Sequence, residues 1–422
     1  MTCRKRFSIR AAMTGSANRF TLTLRWFCRL LQGRRDLDRQ GKEHQQRSAP
    51  LLNGNAAMVR TMQQNLQQAC TECGACVKSC AFLGQYGTPK SIASGWDFSD
   101  PAHRTLAYEC SLCGLCTAVC PEKLDPCRLF LEIRRCHVAE GSFDGRPYQL
   151  LTAYEQRGTS PIFSWHGLPQ GCNTVFFPGC ALPGTRPAVT MKMYQQLCQS
   201  IPALGIVLDC CTKPSHDLGR EAHFHAAFGN VAGFLSRHGV RTVVTACPNC
   251  TKIFRQYGDG LAVQTVYDIL HASGKGREGL STRGLEVSVH DPCPLRDDHQ
   301  VQAAVRGLLS DLGHTVVEMP HHGKQAMCCG EGGAVSFVNQ RLSKEWANRR
   351  VLEAKLRLLI TYCSGCTATL NRVTPTVHNV DLLFRADEPL RGKELAARPP
   401  FTYWNRLLLK HRLQRRMRSA MA

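Results

Sequence analysis

Cys70-Thr-Glu-Cys73-Gly-Ala-Cys76-Val-Lys-Ser-Cys80 and Cys110-Ser-Leu-Cys113-Gly-Leu-Cys116-Thr-Ala-Val-Cys120-Pro121 are two copies of one pattern, C-x2-C-x2-C-x3-C. Three thiolates one short turn apart wrap a corner of a cubane iron–sulfur cluster, and the fourth cysteine reaches across to the other cluster when two copies pair. The spacing predicts two [4Fe-4S] cubanes. One takes Cys70, Cys73, Cys76 and Cys120; the other takes Cys110, Cys113, Cys116 and Cys80. Zinc also uses C-x2-C pairs, but a structural zinc site takes two separated pairs, not a run of four written twice. Gly74 and Gly114 are expected to relieve crowding where the backbone curls round the sulfides. Cys80 is followed by Ala81 where Cys120 keeps Pro121.

Around these motifs lie 422 residues with 24 cysteines and a formal charge of +21. Residues 1–60 carry +10 and residues 391–422 carry +8, leaving +3 for the 330 residues between. A nucleic-acid binder would more often place its basic face on the folded body, so nucleic acid is not an expected partner. End-loaded charge fits solvated tails or attraction to an anionic membrane surface. Phe20–Leu31 would place Phe20, Leu24, Phe27 and Leu31 on one helical face, as an interfacial anchor does. The first 35 residues also contain no acid, as transit peptides do. Met58 offers a later start just before the first cysteine motif. No run approaches eighteen apolar residues and no secretory h-region is present, so the expected location is cytoplasmic or peripheral on the cytoplasmic face of a membrane. In a reducing compartment, tightly spaced cysteines read as metal ligands.

Residues 81–109 read as helix and loop, and Leu124–Glu140 has helical apolar spacing. From residue 171 the chain repeats with a period near 115: Cys180, Cys210-Cys211 and Cys247-x2-Cys250 correspond to Cys293, Cys328-Cys329 and Cys363-x2-Cys366. Short apolar strands precede each group: Thr174–Phe177, Ile206–Leu208 and Val243–Thr245, then Leu285–Val289, Val316–Glu318 and Leu358–Thr361. Strands alternating with helices predict parallel βαβ units, whose strand-end loops would gather the five cysteines of each half on one rim. Gly274–Gly279 matches G-x-G-x-x-G but follows a helix-like segment and reads as a linker.

The repeated pattern resembles the CCG cysteine-rich domain of heterodisulfide reductase catalytic subunits, shared with the iron–sulfur subunits of glycolate oxidase and anaerobic glycerol-3-phosphate dehydrogenase. It rests on His290-Asp291-Pro292-Cys293, Cys328-Cys329-Gly330 and Cys363-Ser-Gly-Cys366, with Phe177-Pro178-Gly179-Cys180 and Cys247-Pro248-Asn249-Cys250 in the first half. There Thr212 replaces the glycine expected after Cys210-Cys211. The resemblance implies an α+β multidomain chain: a basic extension (1–59), a helical two-[4Fe-4S] ferredoxin-type domain (60–165), two duplicated α/β CCG units with small parallel sheets (166–280 and 281–388), and a basic tail (389–422). It further implies one or two non-cubane [4Fe-4S] clusters on Cys180, Cys210, Cys211, Cys247, Cys250 and on Cys293, Cys328, Cys329, Cys363, Cys366, one of which zinc replaces in some relatives. The second set would be the catalytic one.

The function expected is an electron-transfer subunit of a heterodisulfide-reductase-like or flavin-dehydrogenase-linked complex. It would relay electrons between a flavoprotein or other redox partner and a quinone or disulfide acceptor; the alternative is a disulfide reductase at the CCG site itself. Phe401–Met417, with Phe401, Tyr403 and Trp404 ahead of its arginines, is consistent with a peripheral membrane contact. His216, His321 and His322 read as solvated loop histidines, and His290 as structural or proton-handling. Cys3, Cys28, Cys127, Cys136, Cys172 and Cys198 read as small buried hydrophobes.

Overall fold

The computed structural model describes residues 49–98, 100–274, 284–385 and 396–421; the anchor read at Phe20–Leu31, most of the basic extension and the linker at 275–279 lie outside them. From Ala49–Ala69 to Gln149–Thr159 the described chain is helical, with no strand. The two ferredoxin-type motifs have the same backbone. Glu72 and Leu112 are left-handed (φ 56° and 52°), Gly74 and Gly114 follow at 76° and 74°, and each glycine starts a five-residue helix, Ala75–Ser79 or Leu115–Val119. The glycines are there for that positive φ and not for crowding. A Cβ on Gly74 would meet nothing within 4 Å, and one on Gly114 only Arg296 Nε at 3.8 Å.

Two sheets follow. The first contains β1 (Trp165–Gly167), β2 (Thr174–Phe177), β3 (Gly205–Leu208), β4 (Thr242–Thr245) and β5 (Ala262–Thr265), in the order β1-β3-β2-β4-β5. The second contains β6 (Glu286–His290), β7 (Thr315–Val316), β8 (Leu358–Thr361) and β9 (Thr376–His378), in the order β7-β6-β8-β9. All pairings are parallel except β1 on β3, where Trp165 faces Leu208. β1, β5 and β9 escaped the sequence reading because each is three or four residues long, with little apolar alternation at a sheet edge. One buried apolar cluster runs through both sheets, from Phe176, Ile206 and Val244 to Val287, Val289 and Ile360. Tyr267 crosses it, donating to Ala246 O (3.2 Å) and Tyr362 O (3.1 Å).

The segment expected as a basic tail holds a helix, Phe401–Met421, docked on the first sheet's side. Leu409 and Leu413 enter the shared core, Arg406 is buried, and Lys410 Nζ donates to Pro161 O, Ile162 O and Ser164 O at 2.8–3.0 Å. Arg406 and Lys410 depart from the expected solvated role because they serve buried or loop carbonyls, Arg406 Nη2 reaching Gly158 O at 3.3 Å, while Arg412, Arg415, Arg416 and Arg418 are exposed. Phe401 and Trp404 remain exposed.

Thr212, standing for the missing glycine, is fully buried at φ 54° with its Oγ1 unpartnered among the described residues. A β-branched residue in the left-handed region is strained by about 1–2 kcal/mol. Thr212→Gly should therefore raise the denaturation midpoint, gaining about 1 kcal/mol after the greater chain entropy of glycine is subtracted; a lowered midpoint would contradict this account.

Candidate metal centres

Parallel strands put their carboxyl ends on one rim, and the cysteines sit just past those ends. Cys180 follows β2, Cys210 and Cys211 follow β3, and Cys247 follows β4, three adjacent strands; Cys293 follows β6, and Cys363 follows β8. In the first group the Cys180 and Cys210 thiols hydrogen-bond each other, as do Cys211 with Cys250 and Cys250 with Cys247. In the second group the contacts run from Cys293 to Cys328, Cys329, Cys366 and Cys363, with Cys329 Sγ 3.3 Å from Cys366 Sγ. Each set of five sequence-predicted thiols is thus brought together. So are the quartets. Cys76 feels Cys70, Cys120 and Cys73, and Cys80 feels Cys113.

Such donor sets suit a thiophilic metal. Burial pushes the Cys76 and Cys113 thiols up to about 11. The hydrogen bond to Cys328 holds Cys293 high, while the bonds from Cys293 and Cys329 hold Cys328 low. Sulfurs in contact cannot all ionise unless a cation neutralises them, and metal binding supplies that charge. The first group differs in one respect: Cys180 is drawn down to about 7, by the hydrogen bond from Cys210 and, against its burial, by Arg406 of the C-terminal helix.

The second ferredoxin-type motif and the second five-cysteine group share a wall. Arg296, buried, donates through Nε and Nη2 to Cys113 O (3.2 and 3.0 Å) and through Nη2 to Ala326 O (2.8 Å). Arg134, fully buried, donates to Cys110 O (2.5 Å), Asp217 O (2.7 Å) and Gly333 O (3.0 Å), joining the helical region to loops of both sheets. A Cβ on Gly332 would lie 2.5 Å from Ser111 O, and one on Gly333 2.4 Å from Cys110 O. Gly330 (φ 94°) would set a Cβ 2.2 Å from Ser343 O. The charge on Cys113 is felt by Cys293, and that on Cys328 by Cys113.

Several assignments change. Cys127 is no inert hydrophobe: its Sγ lies 3.5 Å from Cys116 Sγ and accepts from Gly114 N–H (3.3 Å), and the neighbouring Cys110 and Cys116 thiols hold its own thiol well below the ordinary range. Its separation of seven residues from Cys120 matches no ligand spacing, so sequence alone gave no signal. Cys198 is exposed, Cys172 is buried, and Cys3 and Cys28 lie outside the described residues. His216 is buried, bonded to Asp217 Oδ1 (2.9 Å) and Tyr257 OH (3.0 Å), because its short helix packs against Phe224 and Tyr257. His321 is half-buried and engaged by Glu353, whereas His322 is exposed, as a loop histidine is expected to be, with Nδ1 2.7 Å from Met319 O. A cleft of about 550 Å³ between the helical region and the first sheet is lined by Cys127, Arg128, Lys213, Asp217, Lys252 and Tyr257, among others.

Comparison with known proteins accords with these centres. The 4Fe-4S dicluster domain matches residues 69–125, and the cysteine-rich CCG domain matches residues 287–371. A probable membrane-anchored ferredoxin of Chromohalobacter salexigens is 23% identical over 328 residues, covering 70% of this chain and 49% of the relative. A subunit of the dihydromethanophenazine:CoB–CoM heterodisulfide reductase of Methanosarcina barkeri is 23% identical over 372 residues, covering 72% and 88%. EtfAB:quinone oxidoreductase of Syntrophomonas wolfei is 21% identical over 265 residues, covering 55% and 37%. The chain spans about half the length of the first relative and most of the second. It is an iron–sulfur protein with a ferredoxin-type 4Fe-4S domain ahead of an α/β cysteine-rich region. These two domains and the relatives that carry them support a CCG-domain iron–sulfur oxidoreductase family. No helix among the described residues is long and apolar enough to cross a membrane.

Proposed function

We propose that this chain is an electron-transfer subunit that carries electrons between a flavoprotein or other redox partner and a quinone or disulfide acceptor. The single observation that carries this reading is the wall shared by the second ferredoxin-type motif and the second five-cysteine group, pinned by Arg296 and closed by Gly332 and Gly333. Clusters held there would take up and release electrons one at a time. The chain's own part is to hold the two ligand sets side by side and to exclude water from Cys110, Cys113, Cys116, Cys328 and Cys329, all buried. Cys73 is exposed and Cys70 and Cys120 half-buried, so the Cys70, Cys73, Cys76, Cys120 site is the one a partner would reach.

In this reading the cubanes use Cys70, Cys73, Cys76, Cys120 and Cys110, Cys113, Cys116, Cys80, within a domain bounded near 60 and 165. Residues 166–280 and 281–388 are duplicated units; the strand orders β3-β2-β4-β5 and β7-β6-β8-β9 support this. Each unit would hold a further cluster, with zinc the rival in the first. The exposed Phe401 and Trp404 support a peripheral membrane contact. Anaerobically purified protein should contain about sixteen irons per chain in four cubane-sized units. About eight irons and two zincs would reject clusters in both units.

The cleft beside Cys127 and Lys213 favours a second reading, in which a small disulfide is reduced by this chain itself. Methyl-viologen-driven disulfide reduction by the isolated chain would select it over electron relay alone.

A further inference from the structure

His290 ends β6 three residues before Cys293 and is fully enclosed. One of its ring nitrogens and the sulfurs of Cys329 and Cys366 all lie within 4.8 Å of one another. The two nitrogens are not equivalent. Arg350 Nε donates to Nδ1 at 3.2 Å, and a guanidinium can only donate, so Nδ1 carries a lone pair and the ring proton sits on Nε2. Arg350 is itself fixed by donation to His321 O (2.9 Å) and by its ion pair with Glu353, so this tautomer is imposed from the far side of the ring. Nε2 is buried with no hydrogen-bond partner among the described residues. A buried N–H normally has an acceptor, and the acceptors at hand are the sulfurs of the second five-cysteine group.

We propose that His290 donates its Nε2–H to sulfur at the centre held by Cys293, Cys328, Cys329, Cys363 and Cys366, as a positioning and tuning residue and not as a metal ligand. The inference rests on the reading of that centre as an iron–sulfur cluster. A hydrogen bond to cluster or ligand sulfur stabilises the reduced, more negative state, so this donor holds the potential of the centre higher than the cysteines alone would. With Nδ1 committed to Arg350, the ring cannot take up the alternative role of ligating through Nδ1 while donating through Nε2.

The test uses the intact chain, purified anaerobically with ¹⁵N-labelled histidine and reduced so that the centre is paramagnetic. Pulsed EPR in H2O and D2O should show a weak ¹⁵N-histidine coupling and an exchangeable deuteron at that centre. His290→Leu should abolish both and shift its midpoint to lower potential with the iron content unchanged, while His290→Gln, which retains an N–H donor, should shift it less. The absence of both couplings in the wild-type protein would overturn the proposal, as would a strong ¹⁵N coupling of a direct ligand or loss of iron in His290→Leu. The wild-type spectra decide the matter even where a variant fails to fold. If Cys329→Ala removes no iron, the cluster reading itself fails, an outcome separate from a loaded centre without a histidine coupling.

Discussion

Arg186→Met should destabilise the protein by about 3–5 kcal/mol, because it strands a buried carboxylate. Arg186 precedes the helix Pro187–Cys198 on the first sheet's side; its Nε donates to Asp381 Oδ2 at 2.7 Å, and the two side chains are only 4% and 3% exposed. Asp381 lies in Asn379–Arg385, after β9 of the second sheet, so the pair crosses the core that both sheets share. Among the described residues its remaining oxygen meets a cation just at Arg385 Nε, 3.6 Å away. With the guanidinium gone, that charge has no comparable partner and water does not reach it. The double variant Arg186→Met/Asp381→Leu removes both charges and should recover most of the loss, since a buried pair is worth little against apolar residues of similar volume. Guanidinium denaturation followed by far-ultraviolet circular dichroism, under anaerobic conditions, measures both. A single variant within about 1 kcal/mol of wild type, or a double variant worse than the single, would refute a buried and uncompensated charge.

Gly333→Val should be more damaging still, above about 4 kcal/mol, and should cost the chain the iron of its second ferredoxin-type site. Two faults combine at this position. The backbone is left-handed at φ 61°, which a β-branched residue resists, and a Cβ would stand 2.4 Å from Cys110 O and 3.0 Å from Ser111 C. Those neighbours are backbone atoms of a ligand loop, held in turn by Arg134 on Cys110 O, so they cannot yield without moving Cys110. Gly74→Ala provides the contrast. It has a similar φ of 76° but open space around the added carbon, so it should cost only the conformational term of about 1–2 kcal/mol. Iron content and the EPR of the reduced protein separate the two: Gly74→Ala keeps its clusters, Gly333→Val does not. Equal effects of the two substitutions would mean that the contact between the loops contributes nothing.

Much of the candidate site was legible because iron–sulfur ligation is written in short-range spacing. C-x2-C-x2-C-x3-C picks out thiols that the fold brings together, and the strand before most of the later cysteines is a short apolar run that periodicity detects. What was not legible depends on partners far away in sequence. Cys127 became part of the second ferredoxin-type site only when the helix Pro126–Ala139 brought its first turn against Cys110 and Cys116. Arg406 reaches Cys180 from 226 residues along the chain, on a helix whose composition read as a tail. His216 read as solvated because nothing in Lys-Pro-Ser-His-Asp announces that Phe224 and Tyr257 will close over it.

By itself, the amino-acid sequence determined which thiols belong together, where the strands that carry most of them end, and that the ends of the chain are basic. Each of these is a property of neighbours within a few residues. Only the tertiary structure decided that the second ferredoxin-type loop lies against Gly332 and Gly333, that Arg350 selects the tautomer of His290, and that the C-terminal helix delivers Arg406 to the first cysteine group. Those outcomes follow from burial. Once a polar group leaves water it must find a specific partner, and the identity of that partner is set by packing across the whole chain.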